Sequence, residues 1–391
     1  MFNIRTLNNI SPAGLNLFPR DRYRITADIL EPDAILIRSF SMNGMNLPER
    51  LLAIARAGAG VNNIPVGKCS ELGIAVFNTP GANANAVKEL ALAGLLLASR
   101  NIAAGISWIK SLQVKGNELS KQIEEGKSVF AGPELLGKTI GVIGLGAIGH
   151  LVANAADSLG MKVIGYDPFI SVDLAWKLSQ KVQKAKSLDH LFSESDYISL
   201  HVPLIDSTRE FINQAKFQNM KIGVRIINFA RDGLIKPADL IQALNEGKVA
   251  CFVTDFPEDG LLHHEKVITI PHLGASTPES ENNCATMAVN QLMNYLENGN
   301  THNSVNFPDT DMPWNGGHRL CVVNKNIPKM MGQITTVLAN EEINIEDMLN
   351  RHHDNLAYNI IDINKSISEK QLDILRKIEG VVRVRLIPPN Q

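Results

Sequence analysis

In the second half of the chain a histidine, an arginine and two carboxylates each stand just beyond an apolar run. His272 follows in VITIPHLGAST, Arg231 lies in NFARDG, and Glu258 and Asp259 lie in DFPEDG. Val267, Ile268 and Ile270 are β-branched and Pro271 cannot continue a ladder, so His272 is expected at the mouth of a buried strand. A histidine there suits proton transfer. Its ordinary pKa is near neutrality, and a nearby carboxylate can orient it and support its charged form. An arginine can hold a substrate carboxylate through two parallel hydrogen bonds. Each residue alone has an ordinary structural reading: Arg231 as a surface ion pair, Asp259 as a turn former, His272 as a satisfied loop histidine. Together, and because they lie downstream of a glycine-rich nucleotide fingerprint, they match a site that removes the hydroxyl proton of an alcohol while its carbon gives up a hydride.

A hydride needs an acceptor. Gly144, Gly146 and Gly149 form GxGxxG between an apolar strand and a helix. The first glycine allows the tight turn, the second lets backbone approach a pyrophosphate, and the third permits close helix–strand packing. The following helix start supplies amide donors and positive dipole. Asp167 closes the next strand about 20 residues on, as the fingerprint requires. A carboxylate there binds a ribose diol and repels a 2′-phosphate, so NAD is favoured over NADP.

These groups need strand ends to carry them. DAILIRS (33–39), LLAIARAG (51–58) and IAVFNTP (74–80) read as short strands ending in polar or glycine-containing turns, and AVKELALAGLLLAS (86–99) as an apolar-faced helix. The stretch from Gln113 to Gly137 reads as a polar loop crossing into a second domain. There KTIGVIGLGAIG, MKVIGYD, DYISLHVP, VRIINFARDG, ACFVTDF and KVITIPH alternate with helices, the order of a doubly wound parallel sheet. Residues 277–299 read as one long amphipathic helix. NTHNSVNFPDTDMPWNGG (300–317) is polar and proline-bearing and reads as linking sequence. The last seventy-odd residues restart as strand, helix, two strands, helix and strand, a ferredoxin-like α+β order.

The 391 residues suffice for two or three domains, and a net charge of −2 without long charge runs points to neither nucleic acid nor a membrane surface. The start of the chain lacks a signal-peptide pattern, and LALAGLLLA (90–98) is too short to span a bilayer. Cys69, Cys251, Cys284 and Cys321 are scattered, without metal-ligand spacing. A cytoplasmic protein without a metal is expected.

The stretches RAGAGVNNI (56–64), VFNTPGANANAVKEL (76–90), GLGAIG (144–149), LHVPL (200–204), INFARDGL (227–234), VTDF (253–256) and PHLGAST (271–277) together resemble the D-isomer-specific 2-hydroxyacid dehydrogenases, over essentially the whole chain. The resemblance is strongest to members that carry a C-terminal ACT domain and oxidise 3-phosphoglycerate with NAD. It implies two Rossmann-like doubly wound domains plus a ferredoxin-like ACT domain. The implied layout is a substrate domain over 1–100 completed by 276–308, an NAD domain over 101–275, a junction at 309–317, and the ACT domain over 318–391. It further implies His272 as acid–base, Arg231 as the group orienting the 2-hydroxy carboxylate, and Arg56 beside the substrate, with Asn78, Thr79 and Arg38 lining the same cleft. Ala147, Ile148, Val202, Ala230, Asp255 and Gly274 match cofactor-contacting positions.

The chain departs from the family pattern where a glutamate normally precedes proline. DFPEDGLL is shorter, and one gap puts Asp259 on the catalytic glutamate while another puts Glu258 there. In the C-terminal module Asn326 and Asn344 match positions that bind an amino-acid effector between paired modules, but Asn324 replaces a histidine and Lys329 a glycine. A homo-oligomer, dimer or tetramer, is implied. Other expectations compatible with the same residues are a hydroxypyruvate or glyoxylate reductase and an NAD-sensing binding protein.

Overall fold

A computed structural model describes residues 1–389. The chain forms two compact units, Met1–Ala82 together with the residues from Glu281 onward, and Asn83–Ser280.

The first unit is built on strands β1 (Phe2–Leu7), β2 (Tyr23–Thr26), β3 (Ala34–Ile37), β4 (Ala53–Arg56) and β5 (Ala75–Phe77), all parallel, in the order β2-β1-β3-β4-β5. AILI and AVF are apolar at every position because both faces of this sheet are covered. Ile35, Ile37, Ile54 and Val76 pack with Leu51, Ile64 and Cys69 on one face. On the other, Leu36, Ala55 and Phe77 pack on Ala285, Ala288 and Leu292 of the Pro278–Asn298 helix. Pairing of Ile37 with Arg56 and of Ala55 with Phe77 brings three neighbouring strands to one end nearly level.

The same unit contains an antiparallel sheet of β13 (His318–Lys325), β14 (Ile345–His353), β15 (Leu356–Ile363) and β16 (Val381–Ile387), ordered β14-β15-β13-β16, with helices Met330–Asn340 and Glu369–Arg376 between strands. This is the split βαβ order that the strand and helix pattern predicts. Leu320, Val322 and Ile361 face Ile334, Leu338, Leu372 and Leu375 of its helices. The alternate residues Cys321, Val323, Tyr358 and Ile360 join the core beneath β1–β5. Arg319 is fully buried at this junction. It makes a bidentate pair with Asp362 at 2.6 and 2.8 Å and donates to the carbonyl oxygens of Asn298, Met312 and Pro313. Arg383 donates to the Glu49 and Leu51 carbonyls, and Arg385 to those of Tyr295 and Leu296. Residues 309–317 have no regular structure, as their composition predicts, but Thr310 and Met312 are buried, so the stretch is fixed in place.

The second unit is a seven-stranded parallel sheet: β6 (Thr139–Ile143), β7 (Lys162–Tyr166), β8 (Gln183–Lys184), β9 (Tyr197–Leu200), β10 (Val224–Asn228), β11 (Val249–Thr254) and β12 (Val267–Thr269). Its order, β12-β11-β10-β9-β6-β7-β8, reverses between β6 and β9, which is the doubly wound dinucleotide-binding topology. The Ala84–Arg100 helix belongs to this unit, although the first hundred residues read as one domain. Val87, Ala91 and Leu95 pack on Val142, Ile227 and Phe229, and Gly94 lets the helix approach so closely that a Cβ there would lie 2.9 Å from the Phe229 ring. The stretch expected as a loop between Gln113 and Gly137 contains the helix Gly116–Gly126, following another at Ile102–Ser111; neither buries a residue. Its polar sequence GNELSKQIEEG has no core to face and so lacks the apolar periodicity that marks helices. Among the described residues no single helix is long and apolar enough to cross a membrane, and no group of three or more His, Cys, Asp or Glu is placed to hold a metal.

Candidate active site

The turn after β6 is shaped by its glycines. Gly144 has φ +88°, and a Cβ there would lie 2.5 Å from the His201 carbonyl oxygen. At Gly149 a Cβ would lie 1.8 Å from the Gly144 carbonyl, whereas at Gly146 it would meet nothing within 4 Å. The first and third glycines therefore close the turn, and the second leaves bare backbone toward open space ahead of the Gly149–Ser158 helix, with Ala147 and Ile148 between. Asp167, just beyond β7, accepts from the amides of Leu145 (2.8 Å) and Phe169 (2.9 Å). That fixes its carboxylate on the wall of a cleft of about 500 Å³ lined by Leu145, Tyr166, Asp167, Pro168 and Ile170. Bare backbone at a helix start and a carboxylate beside a nucleoside-sized cleft fit a dinucleotide. Val202 lies on the far side of the turn, its Cγ1 2.9 Å from a Cβ at Gly144. His201 beneath it bonds to the Ser199 hydroxyl through Nε2 at 2.8 Å, and burial lowers its pKa to about 4.

Strands β10, β11 and β12 are neighbours, with Asn228 paired to Thr254 and Thr254 to Thr269, so the loops that follow begin level. After β10, Asn228 accepts from the Ala230 amide and donates to the Arg231 carbonyl, tying the turn that presents the exposed Arg231. Sequence reasoning passed over Asn228, although an asparagine that bonds backbone two and three residues on is a recognised turn device. After β12, His272 is exposed, its ring edge-on to Phe256 at 5.0 Å, and its Nδ1 lies 3.8 Å from Asp255 Oδ2.

Asp255 is 1% exposed, and neither carboxylate oxygen has a hydrogen-bond partner among the described residues. Burial raises its pKa, opposed first by His272, then by the nearby Gly274 and Asp255 amides, then by Arg231. Glu258 and Asp259, the expected partners of His272, are not within 4 Å of its ring nitrogens. The Glu258 carbonyl instead starts a turn, accepting from the amides of Leu261 and Leu262, and its side chain is raised in pKa by burial and by the charge of Asp232.

In the first unit Arg38, Arg56, Asn78 and Thr79 leave the ends of β3, β4 and β5. Arg56 donates from Nε to the Arg38 carbonyl (3.0 Å) and from Nη1 to Asn62 (3.2 Å). Asn78 donates to the Ala59 carbonyl at 2.6 Å and the Thr79 amide to Gly58 at 3.1 Å, so the two loops are stitched together. The Thr79 hydroxyl is buried without a partner among the described residues. Arg38 pairs with Glu281 at 2.7 Å, a partner that sequence reasoning did not foresee because it lies 243 positions along the chain. In the C-terminal module Asn324 is buried, accepting from Asn359 (2.7 Å) and donating to the Lys325 carbonyl (2.7 Å). Asn326 and Asn344 are exposed.

The family described as D-isomer specific 2-hydroxyacid dehydrogenase, NAD binding domain, matches residues 92–274. Similar proteins include the D-3-phosphoglycerate dehydrogenase of Haemophilus influenzae, 30% identical over 86% of this chain and 82% of that one. The hydroxypyruvate reductase of Thermotoga maritima is 39% identical over 72% of this chain and 84% of that one. The chain spans about half the length of other D-3-phosphoglycerate dehydrogenases it matches. Among solved structures, the NAD+-bound 3-phosphoglycerate dehydrogenase of Entamoeba histolytica aligns with a TM-score of 0.61 and 25% identity, over 78% of this chain and 98% of that one.

Proposed function

The chain belongs to the D-isomer-specific 2-hydroxyacid dehydrogenase family and carries its NAD-binding domain, and from that premise we propose that it oxidises 3-phosphoglycerate at C2 to 3-phosphohydroxypyruvate. NAD, held along the Gly144–Gly149 turn, by Asp167 and by the loops of Val202, Ala230 and Gly274, supplies the hydride acceptor. His272 takes the C2 hydroxyl proton at Nε2, the ring nitrogen turned away from Asp255. Arg231 grips the substrate carboxylate as a planar fork, which a lysine cannot reproduce. Arg56 takes the phosphate, with Arg38, Asn78 and Thr79 completing the substrate contacts.

The observation that carries this reading is an exposed histidine beside a buried carboxylate, on the sheet that also bears the glycine turn. The test is NADH formation from 3-phosphoglycerate, compared with unphosphorylated glycerate and with NADP. His272→Asn should lower kcat on the order of a hundredfold or more, the usual contribution of a general acid–base. Turnover confined to hydroxypyruvate or glyoxylate would favour a second reading, a reductase of those acids, which the relationship to the Thermotoga enzyme supports.

We read the C-terminal module as an ACT domain in which L-serine binds weakly or not at all, because Asn324 is consumed by Asn359 and Lys329 stands at the turn. We infer that the chain pairs with a second copy through the exposed stripe Ile102, Ile106 and Ile109, on a helix that buries no residue. An apolar stripe of this kind is the usual mark of a protein interface.

A further inference from the structure

We infer that Asp255 is the positioning carboxylate of His272 in this chain, in the place that Glu258 or Asp259 would be expected to fill. The inference rests on the reading of His272 as the proton carrier.

The parallel pairing of Thr254 with Thr269 starts the two loops level, so Asp255, one residue on, and His272, three residues on, meet beyond the sheet edge. A carboxylate buried this deeply is costly unless a cation answers it. The charged groups that face Asp255 are His272 and Arg231. At 3.8 Å the contact with Nδ1 is too long for a hydrogen bond and within ion-pair reach. Such contacts tighten when substrate closes a site.

The contact also selects the tautomer. With Nδ1 toward the carboxylate the proton sits on that nitrogen, and the Nε2 lone pair is left for the substrate hydroxyl. Phe256, edge-on to the imidazole, limits the swing of the ring. Gly274 keeps the loop close, since a Cβ there would stand 3.6 Å from Asp255 Oδ2 and 3.4 Å from Val87. The shortened DFPEDGLL segment meanwhile commits Glu258 to a turn beside Asp232, a neighbour of like charge. The loop that lost the usual glutamate thus leaves the strand-end aspartate as the carboxylate in reach.

The test is the pH midpoint of His272, followed in the full-length chain by NMR of its imidazole resonance, identified by its loss in His272→Asn, and in parallel by the pH profile of kcat/KM. Oxidation needs neutral imidazole, so activity rises with pH through this midpoint. Asp255→Asn should lower the midpoint, because it removes an opposite charge beside the imidazole. It should also cut kcat at least tenfold. Asp255→Glu should bring the midpoint back toward that of the unmodified protein, and Glu258→Gln and Asp259→Asn should leave it in place.

A midpoint that moves in Glu258→Gln or Asp259→Asn would overturn the inference. So would Asp255→Asn that weakens NADH binding with an unmoved midpoint, which would confine Asp255 to the cofactor. If Asp255→Asn does not fold, the Asp255→Glu, Glu258→Gln and Asp259→Asn measurements still decide. The NMR midpoint needs no turnover, so a protein that oxidises no 2-hydroxy acid would refute the proposed activity and still report on this pair.

Discussion

Two loop-to-helix turns in this chain do opposite things with their backbone. At Gly144–Gly149 the turn is closed by two glycines and opened by a third, so amides at the start of the helix face free space. At Asn326–Met330 the residue before the Met330–Asn340 helix is Lys329, held at φ +71° and ψ 0° with no side-chain cap. Both are strand-to-helix turns, and both helices are long enough to carry a dipole. The difference is a Cβ and a charge. The first turn offers its ligand bare amides; the second puts a cation where the helix dipole already disfavours one and pays for a left-handed lysine in backbone strain. A helix start becomes an anion cradle only when the chain leaves it uncovered.

The harshest way to break this contrast is Gly149→Ala. Its Cβ would collide with the Gly144 carbonyl, and NADH affinity should fall on the order of a hundredfold or more, about 2.8 kcal/mol, by titration calorimetry on protein shown to be folded by circular dichroism. If alanine is tolerated, the turn is not closed by that contact.

Acid should trouble the first turn and spare the second. His201, under the glycines, is neutral with a pKa lowered by burial from 6.5 to about 4. The unfolded chain takes up the proton more readily, so stability present above pH 6.5 is lost as pH falls toward 4. A loss on the order of 2 kcal/mol is expected. Urea unfolding at pH 7 and pH 4.5 measures it, and His201→Gln should flatten the dependence.

Asp167→Ser sharpens the contrast on the side of ligand choice. The unmodified protein should prefer NAD over NADP by at least tenfold, about 1.4 kcal/mol, and the serine variant should narrow that gap in steady-state kinetics. The smallest effect belongs to Lys329→Gly, which relieves the left-handed strain and should stabilise the chain by about 0.5–1 kcal/mol in denaturant unfolding, after the entropy cost of glycine. The same variant should be inhibited by L-serine more strongly than the unmodified protein. Strong inhibition of the unmodified protein would show that Lys329 itself grips the effector.

The sheet-forming segments were legible because a parallel sheet covered on both faces writes itself as uninterrupted apolar runs: DAILIRS and IAVFNTP contain β3 and β5. GLGAIG was legible because each glycine answers a separate steric demand. What was hidden depended on meetings across the chain. Nothing local in DFPEDG says that Asp255 rather than Glu258 approaches His272; strand pairing decides it. Glu281 reaches Arg38 only because the long helix returns to the first sheet. The Gly116–Gly126 helix was missed because it packs on no core, and the Ala84–Arg100 helix was assigned to the wrong unit because an apolar face does not name the sheet it will cover.

Arg319 gives the polypeptide a kind of redundancy. Its fork holds Asp362 on one side and the carbonyls of Asn298, Met312 and Pro313 on the other, while Tyr358 and Ile360 share a core with Phe77. The covalent thread through 309–317 therefore does little of the holding. A protease nick at the exposed Asn315 would leave two pieces that stay associated, and separately expressed fragments divided there should find each other as complementing halves of one fold.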